Sequence, residues 1–372
     1  MVLSSLTLQN YRSYEKADIR FSPGVTLIYG PNSSGKTNIL EALWSLSLGK
    51  SFRADRETEV IRWGREVARI KGTIAEGNDQ ADDATKLEVV MTQGSVAGRT
   101  TQQKRFFVNG VAKRMLDFAG IFRVVLFWPE HLALVTNSPS LRRKYLDSVL
   151  SQVDREYRRN LGSYERGLAQ RNKLLELLNE GRASRSQFQF WDQLLIRTGG
   201  YLTDRRESFL SFVNAYTEPS MRYVIAYDKS VISEARLDQY REEEVAAKAT
   251  LVGPHRDDFQ FFTPARDEKE SSQTNVSTFG SRGEQRLAVL WLKLAELEYV
   301  TERSREAGSG SARPILLLDD IFSELDRTHR TVILDLVRKQ QTVVTSADDE
   351  VRGLLTGSKK GQTVLLNLPL RS

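Results

Sequence analysis

Hydrophobic and polar positions change period several times along this chain, and each change marks a boundary. Residues 1–14 alternate apolar with polar, the period of a half-buried strand. Val25–Tyr29 is a short apolar run, the mark of a buried strand, and residues 38–48 follow with helical spacing. Residues 69–111 return to alternation and predict β-hairpins: 87–91 and 105–108 are strand-like, and Asn109-Gly110 is a strong hairpin turn. The polar stretch 76–86 predicts a mobile loop, and 124–128 another strand.

From Ser138-Pro139, an N-cap followed by proline at the first helical position, the period becomes helical. Leu146, Leu150, Val153, Tyr157, Leu161, Tyr164 and Leu168 recur at spacings of three and four, continuing through Leu175 and Leu178 to Asn179-Glu180-Gly181. An unbroken helix of about 40 residues would span about 60 Å, and Gly162 and Gly167 are the expected points of a kink or break. A second helix is predicted from about 186, with Trp191, Leu195, Thr198, Leu202, Phe209, Phe212 and Tyr216 on one face, and it stops before Pro219. Together these predict an antiparallel helical insertion. Beyond it, 221–227 reads as strand, 233–248 as one charged helix, and 251–252 and 259–262 as strands around a Gly253-Pro254 turn. Residues 266–275 and 303–312 read as polar loops. The end is α/β again: strand 315–318, helix 327–339, strand 342–345 and strand 364–368, and no internal repeat is present.

The chemistry sits at the period changes. Gly30-Pro31-Asn32-Ser33-Ser34-Gly35-Lys36-Thr37 fits GxxxxGK[ST] and lies between a predicted strand and a predicted helix. A glycine-rich turn there aims backbone N–H groups at an anion, and the helix dipole adds positive potential. Lys36 would reach the β/γ-phosphates and Thr37 would hold Mg²⁺, so the chain is expected to bind a nucleoside triphosphate. Pro314-Ile315-Leu316-Leu317-Leu318-Asp319-Asp320 is an apolar strand ending in two carboxylates. Asp319 would hold the metal, and Asp320 would orient or deprotonate the attacking water. Ser323-Glu324-Leu325-Asp326 follows at once, in the place of a D-loop.

Ser281-Arg282-Gly283-Glu284-Gln285 opens an apolar helix over 286–300 and has the S-x-G-x-Q core of the signature motif of ABC-type ATPases. Ser281 supplies a hydroxyl, Gly283 permits close approach, and the helix N-terminus favours a γ-phosphate, which in such ATPases belongs to the opposite protomer. By itself the segment also reads as a capping box of Ser281 with Glu284. Arg12 and Arg53, in Asn10-Tyr11-Arg12 and Lys50-Ser51-Phe52-Arg53, are candidates for phosphate contact, with a solvated surface as the alternative. Thr345-Ser346 stands where ABC transporters carry a γ-phosphate-sensing histidine, so a hydroxyl would have to serve. Glu130 and His131 lie where a Q-loop is expected; Glu130 is a weak candidate there and His131 is expected to be structural.

Composition narrows the classes. A net charge of +6 and a pI near 9.3 favour a polyanionic partner. Residues 140–185 hold 11 Lys/Arg against 6 Asp/Glu, and Arg155, Arg159 and Arg166 can share a helix face, fit either for DNA phosphate or for solvent. The absence of cysteine excludes thiol catalysis, a thiolate metal site and a disulfide scaffold, and three histidines weigh against a multi-His metal site. The N-terminal stretch has no signal-peptide core and no apolar run approaches 18 residues, so a cytoplasmic protein with no membrane partner is expected.

These motifs together resemble the RecF family of bacterial DNA replication and repair ATPases, within the SMC-like, ABC-type superfamily. The match adds Pro129-Glu130, Ser138-Pro139-Ser140-Leu141-Arg142-Arg143 and Gly253-Pro254-His255-Arg256-Asp257-Asp258 to the segments above and covers nearly the whole chain in order. The last segment has no assigned chemical role, and its plain reading is a turn with a structural Arg–Asp pair. The resemblance implies an α/β fold: an ABC-type P-loop ATPase head with a β-hairpin subdomain and an inserted α-helical lobe, without a long coiled coil. It divides the chain into 1–130, the N-terminal part of the ATPase lobe; 131–218, the helical insertion; and 219–372, the C-terminal part of the head.

The resemblance further implies ATP and Mg²⁺ as cofactors, an ATP-dependent homodimer, binding to double-stranded or gapped DNA, and slow, DNA-stimulated hydrolysis. By resemblance the partners are RecR, and indirectly RecO and RecA, at the nucleoid. The expected nucleotide ligands are Gly30, Pro31, Asn32, Ser33, Ser34, Gly35, Lys36 and Thr37, with Ser281, Gly283, Gln285 and Asp326 from the opposite protomer; Asp320 and Lys36 act catalytically, and Thr37 and Asp319 hold the metal. A nucleotide-gated scaffold acting through protein partners is the alternative. Two departures stand out: Glu284 occupies a position commonly Gln, and Asp320 replaces the Glu of transporters, one methylene shorter.

Overall fold

A largely apolar run needs cover on both faces, and five short strands of this kind form a parallel sheet. In the computed structural model, which describes residues 2–75, 84–264, 273–306, 313–356 and 363–368, the order is Val124–Phe127, Ile315–Asp319, Thr342–Ser346, Val25–Tyr29 and Thr363–Asn367. Each neighbouring pair is parallel. The two motif-bearing strands, Val25–Tyr29 and Ile315–Asp319, are thus separated by one strand, and both deliver their loops at the same C-terminal sheet edge, where ligands bind in such sheets. The helix Lys36–Leu48 follows directly and is buried along nearly its whole length.

The alternating N-terminal segments build a second, antiparallel sheet in the order Tyr14–Arg20, Val2–Tyr11, Val67–Ala75, Thr85–Thr92, Lys104–Val108 and Val111–Lys113. Asn109 and Gly110 both have positive φ (50° and 78°), the geometry of the tight hairpin expected there. One apolar cluster joins this sheet, the Lys36–Leu48 helix and the inner face of the parallel sheet, through Leu6, Ile70, Leu43, Leu126 and Leu317 among others.

The described chain forms two compact units: residues 1–131 with 300–372, and residues 132–299. The second unit holds the helices Pro139–Val153, Arg155–Asn179 and Gln189–Ala215 and the antiparallel strands Val224–Asp228, Asp258–Thr263 and Thr274–Asn275. The expected long helix is broken, but at Asp154 and not at either glycine. Asp154 leaves helical geometry (φ −125°, ψ 107°), and its Oδ1 accepts from the Tyr157 N–H at 2.9 Å, starting a new helix. Gly167 has a different use: a Cβ there would lie 3.1 Å from Leu194 Cδ2, so the missing side chain admits the neighbouring helix.

Other expectations shift locally. Residues 233–248 form two helices, Glu234–Gln239 and Arg241–Ala247, parted at Tyr240. Residues 251–252 are not strand, and the predicted 221–227 strand begins only at Val224. Residues 303–306 continue the helix Arg282–Glu306 rather than opening a loop. Of the predicted loops, 76–83, 266–272 and 307–312 lie outside the described residues, while Thr85 and Lys86, and Thr274 and Asn275, belong to strands.

Candidate functional site

The phosphate loop folds as its glycines require. Gly35 sits at φ +98°, and a Cβ there would meet Ser13 Oγ and Tyr14 Oη at 2.9 Å. Gly30 is limited by space alone, with Leu368 Cβ and O at 3.0 Å from the added carbon. Tyr14 Oη donates to the Gly35 carbonyl at 3.2 Å, tying the loop to the antiparallel sheet.

Around the loop lies a cleft of about 400 Å³, lined by Asn32, Lys36, Thr37, Arg53, Asp319 and Asp320 among others. Lys36 Nζ donates to the carbonyls of Gly30 (2.8 Å) and Pro31 (2.9 Å). Burial lowers the Lys36 pKa from its ordinary value, against the opposing pull of Asp320 and Asp319. Thr37 Oγ1 lies 2.9 Å from Asp319 Oδ2, and Thr345 Oγ1 donates to Asp319 Oδ1 at 2.6 Å. One carboxylate therefore gathers the helix start and two sheet strands. Of the two hydroxyls at Thr345-Ser346, one of which would have to sense the phosphate, that of Thr345 is spent on Asp319 and also accepts from the Asp320 N–H at 3.1 Å. Asp320 itself has φ +48°, a left-handed conformation that turns the chain sharply after the strand.

A triphosphate with a divalent cation fits this set. Ser34 Oγ is buried in the loop without a protein partner, as a donor awaiting an acceptor would be. Thr37 and Asp319 present hard oxygen donors side by side, the chemistry Mg²⁺ prefers.

Arg12 and Arg53 have a role that neither sequence reading foresaw. Both clasp Glu41, whose side chain has no solvent exposure: Arg12 Nη2 and Nε reach its two oxygens at 2.6 and 2.9 Å, and Arg53 Nη2 at 3.0 Å. Ser51 Oγ adds a bond at 2.5 Å. Burial pushes the Glu41 carboxyl upward, yet the bonds from Arg12 and Ser51 and the two guanidinium charges hold it below its usual range. A Glu amid Ile39, Leu40, Ala42 and Leu43 was the available signal. Glu130 lines the same cleft, and there burial, reinforced by Asp319, raises its pKa against the pull of Arg53.

A family description, RecF/RecN/SMC N terminal domain, matches residues 2–353. The DNA replication and repair protein RecF of Roseiflexus castenholzii is 35% identical, with 97% of each chain covered, and that of Lachnoclostridium phytofermentans is 35% identical over 93% of this chain and 92% of the relative. The chain belongs to the RecF family. Solved structures of the recombination mediator protein RecF in the RecFOR pathway, as RecF-ATP and RecF-ATPrS, superpose with TM-scores of 0.81 and 0.79 at 28% identity, each covering 93% of this chain and 92% of theirs.

The RecF fold is thus the ABC-type ATPase head. Its longest described helices run 27 and 25 residues, so no long coiled coil leaves it among the described residues. No described helix is long and apolar enough to cross a membrane. The remaining candidates of this RecF family member are not among the described residues that line the cleft. Ser281, Arg282 and Gly283 are exposed at the start of Arg282–Glu306. The capping box forms there: the Ser281 N–H donates to Glu284 Oε2 at 2.8 Å and Ser281 Oγ accepts from the Glu284 N–H at 3.3 Å. Gln285 Nε2 donates to the carbonyls of Val276 (3.3 Å) and Gly280 (3.2 Å). Asp326 caps the helix Arg327–Val337 by accepting from the His329 N–H at 3.0 Å, a bond that also lowers its pKa.

The Gly253–Asp258 segment, left without a role by the sequence, is a structural hub of the second unit. Buried Arg206 donates to the Pro254 carbonyl (2.6 Å), Asp257 (2.9 Å) and Asp147 (2.8 Å), while Arg142 holds Asp258 through two bonds. The Arg–Asp pairing expected there is real, but the arginines come from the helices. Arg155, Arg159 and Arg166 are exposed; Arg159 pairs with Glu156 at 2.7 Å and Arg166 Nε donates to the Gly162 carbonyl at 3.0 Å.

Proposed function

We propose that the chain is an ATP-binding and ATP-hydrolysing protein of DNA replication and repair, in which Mg-ATP pairs two copies on duplex or gapped DNA and slow hydrolysis releases them. The carrying observation is the Thr37–Asp319–Thr345 constellation beside Lys36 at one sheet edge. In this reading Lys36 exchanges its two carbonyl partners for β/γ-phosphate oxygens. Thr37 and Asp319 hold Mg²⁺, which when bound neutralises phosphate charge. The loop from Gly30 through Gly35, with Pro31, Asn32, Ser33 and Ser34, wraps the phosphates. Asp320 takes the proton of the water that attacks the γ-phosphorus, the bond to the β-phosphate oxygen breaks, and ADP and phosphate leave.

Ser281, Gly283, Gln285 and Asp326 act on the nucleotide of a second copy. Gly283 supports this: a Cβ there would meet only Ser281 Oγ, at 3.8 Å. Among the described residues, then, nothing requires a glycine in the first turn of this helix; a close approach from outside would. The names of the relatives and the RecF-ATP structure support the biological role and the nucleotide. RecR, and through it RecO and RecA, are the protein partners that the RecFOR assignment of the solved relatives suggests.

The test is anisotropy of a labelled short duplex against protein concentration at fixed salt, with and without Mg-ATP. Binding that tightens with ATP is expected, and is lost in Lys36→Ala; Asp320→Asn should bind ATP, turn it over poorly and accumulate dimer. Binding indifferent to ATP would replace the clamp with a nucleotide-gated scaffold working through protein partners.

A further inference from the structure

Phe279 is 73% exposed, and it stands two residues ahead of Ser281. Singly exposed apolar residues are common, so exposure alone says little. The short helical turn that carries Phe279, Val276–Phe279, however, is held from several sides. Asn275 Oδ1 accepts from the Ser277 N–H at 2.8 Å, and the Gly280 N–H donates to the Val276 carbonyl at 3.0 Å. Gln285 reaches back to the carbonyls of Val276 and Gly280. Gly280 admits no side chain, since its Cβ would fall 2.5 Å from the Val276 oxygen. The segment is therefore a preset support that turns one aromatic ring to solvent, with exposed Ser277, Thr278, Ser281 and Gly283 around it.

The cleft in the first unit has the complementary shortage. Its lining is built for phosphate and metal, and among the described lining residues the one aromatic is Trp128. That ring is already engaged, edge-on with Phe52 at 4.7 Å and with His131 at 6.0 Å between centroids. Among the described lining residues, then, no further aromatic face is offered to a purine held by its phosphates in this cleft. Two residues of extended backbone reach about 7 Å, and the Phe279 side chain extends further. That is the scale separating the terminal phosphate from the base in an extended nucleotide.

We propose that Phe279 recognises the base in trans: with Ser281 on the γ-phosphate, the ring stacks on the adenine bound in the cleft of the second copy. This rests on the reading that ATP pairs two copies, and it adds that pairing is selective for a purine. Aromatic stacking on a base is worth about 10-fold in affinity, so two sites in a symmetric dimer give about 100-fold.

The test is sedimentation of the full chain at saturating Mg-ATP or Mg-UTP, for wild type, Phe279→Ala and Phe279→Trp. Wild type should dimerise more tightly with ATP than with UTP. Phe279→Ala should weaken the ATP dimer about 100-fold and the UTP dimer less, because a pyrimidine offers the ring a smaller face, and so narrow the gap; Phe279→Trp should keep it open. Equal loss with both nucleotides would overturn the proposal, because the ring would then not distinguish a purine from a pyrimidine. No loss in an ATP dimer that still forms would overturn it while leaving the clamp standing. Absence of any nucleotide-dependent dimer in wild type would overturn both.

Discussion

A carboxylate with no exposure, clasped by two arginines, is the strongest residue-scale commitment beside the phosphate loop. Glu41 neutralises one of the two positive charges that Arg12 and Arg53 bring to the cleft edge, and it fixes where the other sits. Removing one partner of a buried pair leaves the rest uncompensated. Glu41→Gln should therefore cost about 3 kcal/mol in unfolding free energy measured in denaturant. The pKa of Glu41 is depressed in the folded state, so its contribution is present above the unfolded value of about 4.3 and lost as pH falls through the lower folded one. The gap between wild type and Glu41→Gln should then be widest near neutrality and shrink in acid. A gap that stays constant down to pH 3 would mean that Glu41 is not bound as a charged clamp.

At the scale of elements, what the sequence made legible was local. The strand before the phosphate loop, the Asp-Asp strand end and the Asn109-Gly110 turn each carry their signal within a few residues. The Asp154 break was hidden because an aspartate mid-helix resembles a surface residue until its cap on Tyr157 and its bonds from Tyr201 (2.9 Å) and Arg205 (3.3 Å) are seen. Likewise, Arg142 and Arg206 lie more than 45 positions from the Asp residues they hold at 257 and 258, a separation that no spacing rule spans.

The two mid-helix glycines now part company. Gly162 has nothing within 4 Å of an added Cβ, so Gly162→Ala should raise stability by about 1 kcal/mol. Gly167→Ala must displace Leu194 and Leu195, at 3.1 and 3.3 Å, and should gain nothing or lose stability. Equal thermal shifts in the two variants would contradict the helix contact at Gly167.

The Gly253–Asp258 turn has its own titration. His255 Nδ1 lies 2.7 Å from Tyr164 Oη and Nε2 lies 2.9 Å from the Thr250 carbonyl, so a neutral ring accepts from the first and donates to the second. Burial, aided by nearby arginines, lowers its pKa to about 4. A depressed value means stability fully present above about pH 6.5 and lost as pH falls through about 4, up to about 3 kcal/mol. His255→Gln should flatten the thermal midpoint across that window; a profile parallel to wild type would remove His255 as the cause.

For the whole molecule, the positive balance and the ATP site make opposite demands on one substitution. If DNA binding were a property of single chains, driven by net charge, added positive charge would strengthen it or leave it unchanged. If it requires two copies joined through the exposed Ser281 face, a bulky cation there would weaken it despite the charge gained. Ser281→Arg separates these. It lies outside the cleft lining, so equilibrium binding of ATP to single chains should match wild type. ATP-dependent dimer should disappear in sedimentation, and duplex affinity in Mg-ATP should fall to its nucleotide-free level. The slope of log affinity against log salt should also fall, because one copy neutralises fewer phosphates than two. Loss of ATP binding by the single chain would show that Ser281 serves its own nucleotide. Unchanged or tighter ATP-dependent DNA binding would show that charge on one chain is sufficient, leaving the nucleotide to act on something other than pairing.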